Sequence, residues 1–324
     1  MIQNLTIDVA LTTQLIESYL KDLIKQQNSN GILLGLSGGI DSSVLATLAA
    51  RAVGKERVHV SFLFDRDSEK NSEQKARMMA QWLGIKLEVA DISPTMKDRK
   101  VYAPFIMRLL PYSSWFNRMI QHSYAFMFGE TPFKTTLKVG SQALERSWLK
   151  RLLFNFFIHH IDHGFSERHI YRRQVLEKKA KDENLTLIGA ANLSEFEVGW
   201  FIKDGIDDLP IQPMSGLYKT QIWQLAAYLE LPKEIQSQLP SPDMMIGFTD
   251  EFGIGHDYRR LDQIIDLIKQ DKSDDEMISF GISKHELDDI RELMKFSAWK
   301  RLNKHLPPPV QGEFGSIVRL DKSP

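Results

Sequence analysis

Apolar residues along this chain recur with two periods, and the alternation between them predicts an architecture. Residues 6 to 27 set Leu11, Leu15, Ile16, Tyr19, Leu20, Leu23 and Ile24 on one helix face, and Asn28-Ser29-Asn30-Gly31 stops the pattern. A short apolar run, Ile32 to Leu36, comes next. It breaks at Ser37-Gly38-Gly39, and a helical pattern (Val44, Leu45, Leu48, Ala49) begins at once. That order reads as buried strand, tight turn and helix. After Gly54, Val58 to Phe64 predicts a second strand, Ser68 to Leu83 a polar helix ended by Gly84, and Lys86 to Ile92 a third strand. Leu185 to Ala190 predicts another strand. Alternation at this pitch predicts an α/β fold, a doubly wound parallel sheet flanked by helices, with ligands outside the carboxyl ends of the strands.

The tail is helical. Tyr258, Leu261, Ile264, Ile265 and Ile268 share a face, and Ser283-Lys284-His285-Glu286 has the form of a capping box opening a further helix. Pro307-Pro308-Pro309 ends regular structure, and Lys322-Ser323-Pro324 is expected to fray. The whole, residues 1–324, reads as one α/β domain. It carries a long helical insertion over about 97–165 and a C-terminal helical segment over about 257–310.

The stretch GILLGLSGGIDSS, Gly31 to Ser43, carries the chemistry. Adjacent glycines let successive N–H groups point into one concavity at a helix N-terminus, which suits phosphate. Asp41 stands before Ser42 and Ser43, where a kinase-type phosphate loop would carry lysine. A carboxylate cannot face a phosphate bare, so Asp41 is expected to reach it through Mg²⁺. Glu195, just past a strand end, is a candidate for the second Mg²⁺ carboxylate, the plainer reading being a solvated helix-start glutamate.

Composition changes the picture in three places. With 43% hydrophobic and 26% charged residues and a net charge of −1, the chain reads as a soluble globular protein with no global attraction to nucleic acid or anionic membrane. The amino terminus lacks a signal-peptide pattern, and Leu152 to Ile161 falls far short of the roughly 20 residues of a membrane span, so a cytoplasmic location is expected. Residues 97–173 hold 15 of the aromatic side chains and 13 Lys/Arg against 5 Asp/Glu. Arg108, Tyr112, Trp115, Phe116 and Arg118, then Trp148, Lys150, Arg151, Phe154, Phe156 and Phe157, interleave the two kinds. The expectation is that these aromatics are mostly buried, in the core or against a second subunit, some forming a wall beside the acceptor pocket. Membrane-surface contact or a lid over an acidic substrate are the alternatives. His159, His160 and His163 put two imidazoles a turn apart, a spacing that can hold a metal, although no glutamate follows the first.

The string SGGIDSS resembles the pyrophosphate loop of the ATP pyrophosphatases. The motif order, SGGIDSS, NLSE, W-F-x-K, GLYKTQ, Pro240-Ser241, TDEFGIGHDY and Trp299-Lys300-Arg301, resembles the ammonia-dependent NAD synthetase family from about residue 5 to 310. The resemblance implies an adenine nucleotide α-hydrolase-like fold and a homodimer. It also implies two-step amide synthesis, in which ATP adenylates the carboxylate of deamido-NAD with loss of pyrophosphate and ammonia displaces AMP. It assigns ATP to Gly35, Leu36, Ser37, Gly38, Gly39, Ile40, Ser42, Ser241 and Lys219, Mg²⁺ to Asp41 and Glu195, and catalysis to Asp41, Lys219 and Glu195. The acceptor falls to Arg172, Lys203, Asp207, Asp208 and Lys300. Absence of cysteine argues against thiolating relatives and a built-in glutaminase, so ammonia arrives free or from another subunit.

The acceptor half departs from the family pattern. Ala190, Ile170, Ile206, Pro210 and Trp299 stand where the family carries polar side chains. Two such losses without compensation would weaken deamido-NAD recognition by roughly 10²–10⁴-fold. Asp207 and Asp208 are placed to substitute. The alternatives are a ligase that adenylates a different carboxylate and an ATP-binding paralogue without turnover. A tRNA-modifying adenylating enzyme would need residues 97–173 as its platform.

Overall fold

The computed structural model describes residues 5–69, 71–109, 114–143, 148–242 and 249–310. Four strands, β1 (Gly31–Gly35), β2 (Val58–Phe64), β3 (Leu87–Asp91) and β4 (Leu185–Leu187), form a sheet in the order β3-β2-β1-β4. Every pairing is parallel, and Ile32 of β1 lies between Val58 and Thr186. Successive β1 side chains alternate between two cores. Ile32 and Leu34 join Ile16, Leu20, Val44 and Leu48 from the helices Val9–Gln26 and Ile40–Val53. Leu33 joins Leu63, Met96, Leu176 and Leu185 on the other face, under the helix His159–Glu183. A strand covered on both faces needs no polar side chain, which is why Ile32 to Leu34 reads as an uninterrupted apolar run.

Two element boundaries differ from the sequence expectation for local reasons. β4 is shorter than Leu185 to Ala190 because the chain leaves the ladder: Ile188 N–H still bonds Leu33 O at 3.0 Å, but Gly189 N–H turns to Ile211 O at 2.9 Å. The polar helix starts at Ser72 because the residues before it make a turn, in which Asp65 N–H donates to Ser68 Oγ at 3.1 Å and Asp67 N–H to Asp65 Oδ1 at 3.1 Å. At Lys284–Phe296 only half of the expected capping box forms. Ser283 Oγ caps Glu286 N–H at 3.1 Å, while the Glu286 carboxylate is taken by Arg260 at 2.8 Å.

The insertion is helical: Phe105–Leu109, Ser114–Phe128, Pro132–Gly140 and Trp148–Leu153, then a π-helical turn, Phe154–Ile158, leading into the long helix from His159. Three of its lysines are held in ion pairs. Buried Glu130 accepts Lys138 and Lys150, each at 2.6 Å, and Lys134 meets Asp289 at 2.5 Å and Glu292 at 2.6 Å on the C-terminal helix. Trp299 bolts the same helices together: its indole lies where a Cβ on Gly140 would come within 2.1 Å, and its Nε1 donates to Leu137 O at 3.3 Å. The aromatics are less buried in this chain than expected. Tyr124 and Phe154 are buried, but Phe126 is 95% exposed and Phe105, Trp148, Phe156 and Phe157 are exposed too, because the helices turn only one stripe inward. Tyr112, and the side chains of Arg108, Trp115, Phe116 and Arg118, lie outside the described residues. No helix among the described residues is long and apolar enough to cross a membrane.

Asp289 anchors the insertion to the C-terminal helices. Burial opposes its charge, yet His256 at 2.7 Å and Lys134 hold its carboxyl down at about 2. A folded value below the unfolded one contributes stability above about pH 4 that is lost as pH falls towards 2. Asp289→Asn is therefore expected to cost about 2 kcal/mol at neutral pH in urea melts, with the gap to the parent narrowing below pH 4.

Candidate active site

The site begins where β1 ends. Gly38 adopts φ +80°, and a Cβ there would lie 2.8 Å from Ala76 N and Ser72 O, so the helix Ser72–Leu83 packs against bare backbone. Gly39 caps the helix Ile40–Val53 without a side-chain bond to its first N–H groups. Small hydroxyls hold the turn: Ser42 Oγ accepts from Ser37 N–H at 3.2 Å and lies 3.0 Å from Ser37 Oγ, while Ser43 Oγ donates to Gly39 O at 2.7 Å. Gly35, Leu36, Ser37, Gly39, Ile40, Asp41 and Ser42 all line one chamber of about 750 Å³.

Charged groups converge on this turn from separate elements. Asp41 Oδ2 accepts from Lys219 Nζ at 2.6 Å, and Lys219 also reaches Glu195 Oε1 at 3.2 Å. Asn192 joins two elements at once. Its Oδ1 caps Glu195 N–H at 3.0 Å, at the head of the helix Leu193–Val198, and its Nδ2 donates to Asp41 Oδ1 at 3.0 Å. Behind Lys219, buried Asp262 accepts Ser194 Oγ at 2.5 Å and Thr220 N–H at 2.9 Å, which fixes the start of the helix Lys219–Tyr228. The Tyr258 hydroxyl donates to Asp250 at 3.2 Å and lies 3.5 Å from Glu195.

Two carboxylates thus bond one ammonium in a buried place and Asp250 adds its charge, and proton affinities shift accordingly. Burial, reinforced by Asp41 and Asp250 and opposed by Lys219, pushes Glu195 up to about 8. Burial also raises Asp250. Lys219 is driven upward despite its burial, by Asp41 and Glu195. It remains a cation at any physiological pH.

The acceptor candidates separate into two groups. Arg172 and Asp207 line the chamber: Asp207 lies 2.7 Å from His169 Nδ1, and Arg172 Nε is buried without a hydrogen-bond partner. Lys300 lines it as well, although its Nζ donates to Gly199 O at 2.8 Å and Phe201 O at 2.6 Å, and burial pulls it down to about 8. Asp208 is turned inward to His305 at 2.7 Å and to Asn303. Lys203 contacts Asp204 at 3.1 Å and does not line the chamber. Of the apolar replacements, Ala190 and Ile206 line it, whereas Ile170, Pro210 and Trp299 do not. Ser241 lines it, 3.4 Å from Glu69. His159 and His163 stack at 6.3 Å, and no group of three metal-ligating side chains occurs among the described residues.

Sequence reasoning did not single out Asn192, Asp250, Tyr258 or Asp262. The first lies in NLSE and the next two in TDEFGIGHDY, strings that mark the family without disclosing that Asn192 and Tyr258 meet Glu195 and that Asp250 meets Tyr258.

A glycine turn at the end of a central parallel strand, faced by a lysine and carboxylates from neighbouring strand ends, defines a nucleotide site of the ATP pyrophosphatase type. The sequence model of the NAD synthase family matches residues 12–103 and 165–304, and the chain belongs to that family. Similar proteins include the NH3-dependent NAD+ synthetases of Coprothermobacter proteolyticus, 31% identical over 82% of this chain and 87% of that one, and of Rhizobium meliloti, 28% identical over 95% of each. Solved structures of similar fold include NMN synthetase from Francisella tularensis (TM-score 0.63, 23% identity, 93% of this chain and 98% of that one). Another is NH3-dependent NAD synthetase from Campylobacter jejuni (TM-score 0.59, 19% identity, 93% of this chain and 100% of that one).

The loop geometry makes a sharp distinction between its two glycines. Gly38→Ala is expected to cost about 1–3 kcal/mol, the scale of one residue forced into the left-handed region. Gly39→Ala, at φ −78° with only the Ser37 hydroxyl within 3.2 Å, should cost less than half as much in the same urea melts.

Proposed function

We propose that this protein is an ammonia-dependent amide ligase of the NAD synthetase type. It uses ATP to adenylate the nicotinate carboxylate of deamido-NAD, releasing pyrophosphate, and ammonia then displaces AMP. The observation that carries the reading is the convergence of Lys219, Asp41 and Glu195 on the Ser37–Ser42 turn, in the chamber that also holds Arg172 and Asp207. The reading brings with it a homodimer, which rests on the family resemblance, and a cytoplasmic setting, which rests on the sequence expectation above.

In this reading the turn N–H groups take the β and γ phosphates, and Lys219 leaves its carboxylates to neutralise charge developing as pyrophosphate departs. Arg172 and Asp207 orient the acceptor, the guanidinium toward anionic groups and the carboxylate toward donors. Asp262, through Ser194 and Thr220, keeps the lysine-bearing helix in register with the turn.

The donor set fits Mg²⁺. Asp41 and Glu195 supply hard oxygens on either side of Lys219, and Mg²⁺ is commonly held by one or two carboxylates plus substrate phosphates. The raised proton affinities of Glu195 and Asp250 mark a surplus of negative charge that a divalent cation would neutralise. Bound there, the ion would screen phosphate charge and polarise the leaving group.

Pyrophosphate release with ATP, Mg²⁺, ammonium and deamido-NAD tests the assignment. Lys219→Met is expected to lose about 3 kcal/mol of transition-state stabilisation, a roughly 10²–10³-fold fall in rate, with circular dichroism unchanged. Asp41→Asn should fall at least as far. Folded variants with rates within a few-fold of the parent would remove both residues from the chemistry.

A further inference from the structure

The chamber that holds Asp41 and Lys219 does not stop at the acceptor groups. Its lining extends into the insertion, residues that lie between the two segments matched by the family, where Ile106, Phe128, Phe133, Leu153 and Ile158 form the wall of an apolar branch. Thr136, Ser123 and Asp162 are the polar side chains this branch presents among its lining residues, apart from the Tyr124 hydroxyl, which is held by Thr135 at 2.9 Å. The insertion's lysines face elsewhere: Lys138 and Lys150 are drawn to Glu130, and Lys134 to Asp289 and Glu292. A phosphate or sugar entering the branch would lose hydration and find few donors beyond the Thr136 and Ser123 hydroxyls among the described residues, whereas an apolar body would gain from leaving water. Arg172, whose buried Nε lacks a partner, lines the same chamber, as does Lys300, which lies 5.6 Å from the Phe133 ring and interacts electrostatically with Asp162 and Asp207. Cations lining an apolar branch, in the chamber proposed to adenylate a carboxylate, can receive a carboxylate head with an apolar tail.

We propose that the insertion gives this protein a second class of acceptor, carboxylic acids with an elongated apolar body, which it converts to primary amides. The proposal rests on the adenylating activity proposed above. A carboxylate oxygen attacks the α-phosphorus of ATP, the bond to the pyrophosphate oxygen breaks, and an acyl adenylate forms. The ammonia nitrogen then attacks the acyl carbon, the carbon–oxygen bond to AMP breaks with its electron pair leaving on AMP, and the nitrogen releases a proton to solvent. The phosphate turn, Asp41 and Lys219 serve both acceptor classes. The branch adds only the recognition of the tail.

A chain-length series tests this. The full chain is assayed for pyrophosphate release and for the amide by mass spectrometry, with ATP, Mg²⁺, ammonium and straight-chain acids from acetate to decanoate, deamido-NAD being run in parallel. The expected result is a kcat/KM that climbs about fourfold for each added methylene until the branch is full. Thr136→Trp, which puts bulk into the branch, should lower decanoate turnover about tenfold more than deamido-NAD turnover. The series stands on its own if that variant does not fold. Turnover of deamido-NAD with no dependence on chain length would overturn the proposal while leaving the family reaction intact, and would do so equally if a second copy of the chain fills the branch. Absence of pyrophosphate release with every acid, deamido-NAD included, would overturn both readings.

Discussion

The structure is arranged around one electrostatic constraint: the Lys219 ammonium is bonded to the carboxylates of Asp41 and Glu195, and the charge of Asp250 acts on it as well. Charges removed from water at this density interact strongly, and an excess of one sign is costly unless a further cation arrives. That excess explains why burial and mutual repulsion lift Glu195 to about 8. In the proposed reading, a divalent ion arriving with ATP would offset it. Phosphates alone would add negative charge to a negative place, and the ion alone would leave Lys219 without a role.

Holding such a group together requires the fold around it. Asp41 comes from the end of β1 and Glu195 from just beyond β4, which are neighbours in the sheet. Asn192 ties those two strand ends directly. Asp262 brings the C-terminal helix Tyr258–Lys269 into the same cluster through Ser194 and Thr220, and Tyr258 does so through Asp250. The tail is therefore a buttress for the phosphate end. The insertion, clamped to the tail by Lys134, Asp289 and Trp299, closes the acceptor end.

The phosphate half was legible in the sequence because its determinants are local. A strand, two glycines and a helix start lie within Gly31 to Ser43, and a positive φ at Gly38 is what the pair of glycines signals. The acceptor half was less legible because its geometry is set by packing between distant segments. Ile206 and Pro210 lie four positions apart, yet only Ile206 reaches the chamber. Lys203 and Asp208 carry charges that a sequence reading sends to the ligand, and the fold pairs them with Asp204, His305 and Asn303. The basic and aromatic excess of 97–173 announced something unusual but not what. Three of its lysines are absorbed by Glu130, Asp289 and Glu292, and its described aromatics divide between a chamber wall and an exposed face.

The central claim, that the carboxylates around Lys219 exist to hold nucleotide phosphates through a divalent cation, is tested most directly by calorimetric titration of ATP into the protein with Mg²⁺ and with EDTA. The account predicts binding at least about tenfold tighter with the ion, and loss of that difference in Asp41→Asn. Equal ATP affinity with and without Mg²⁺ in the parent protein would contradict it.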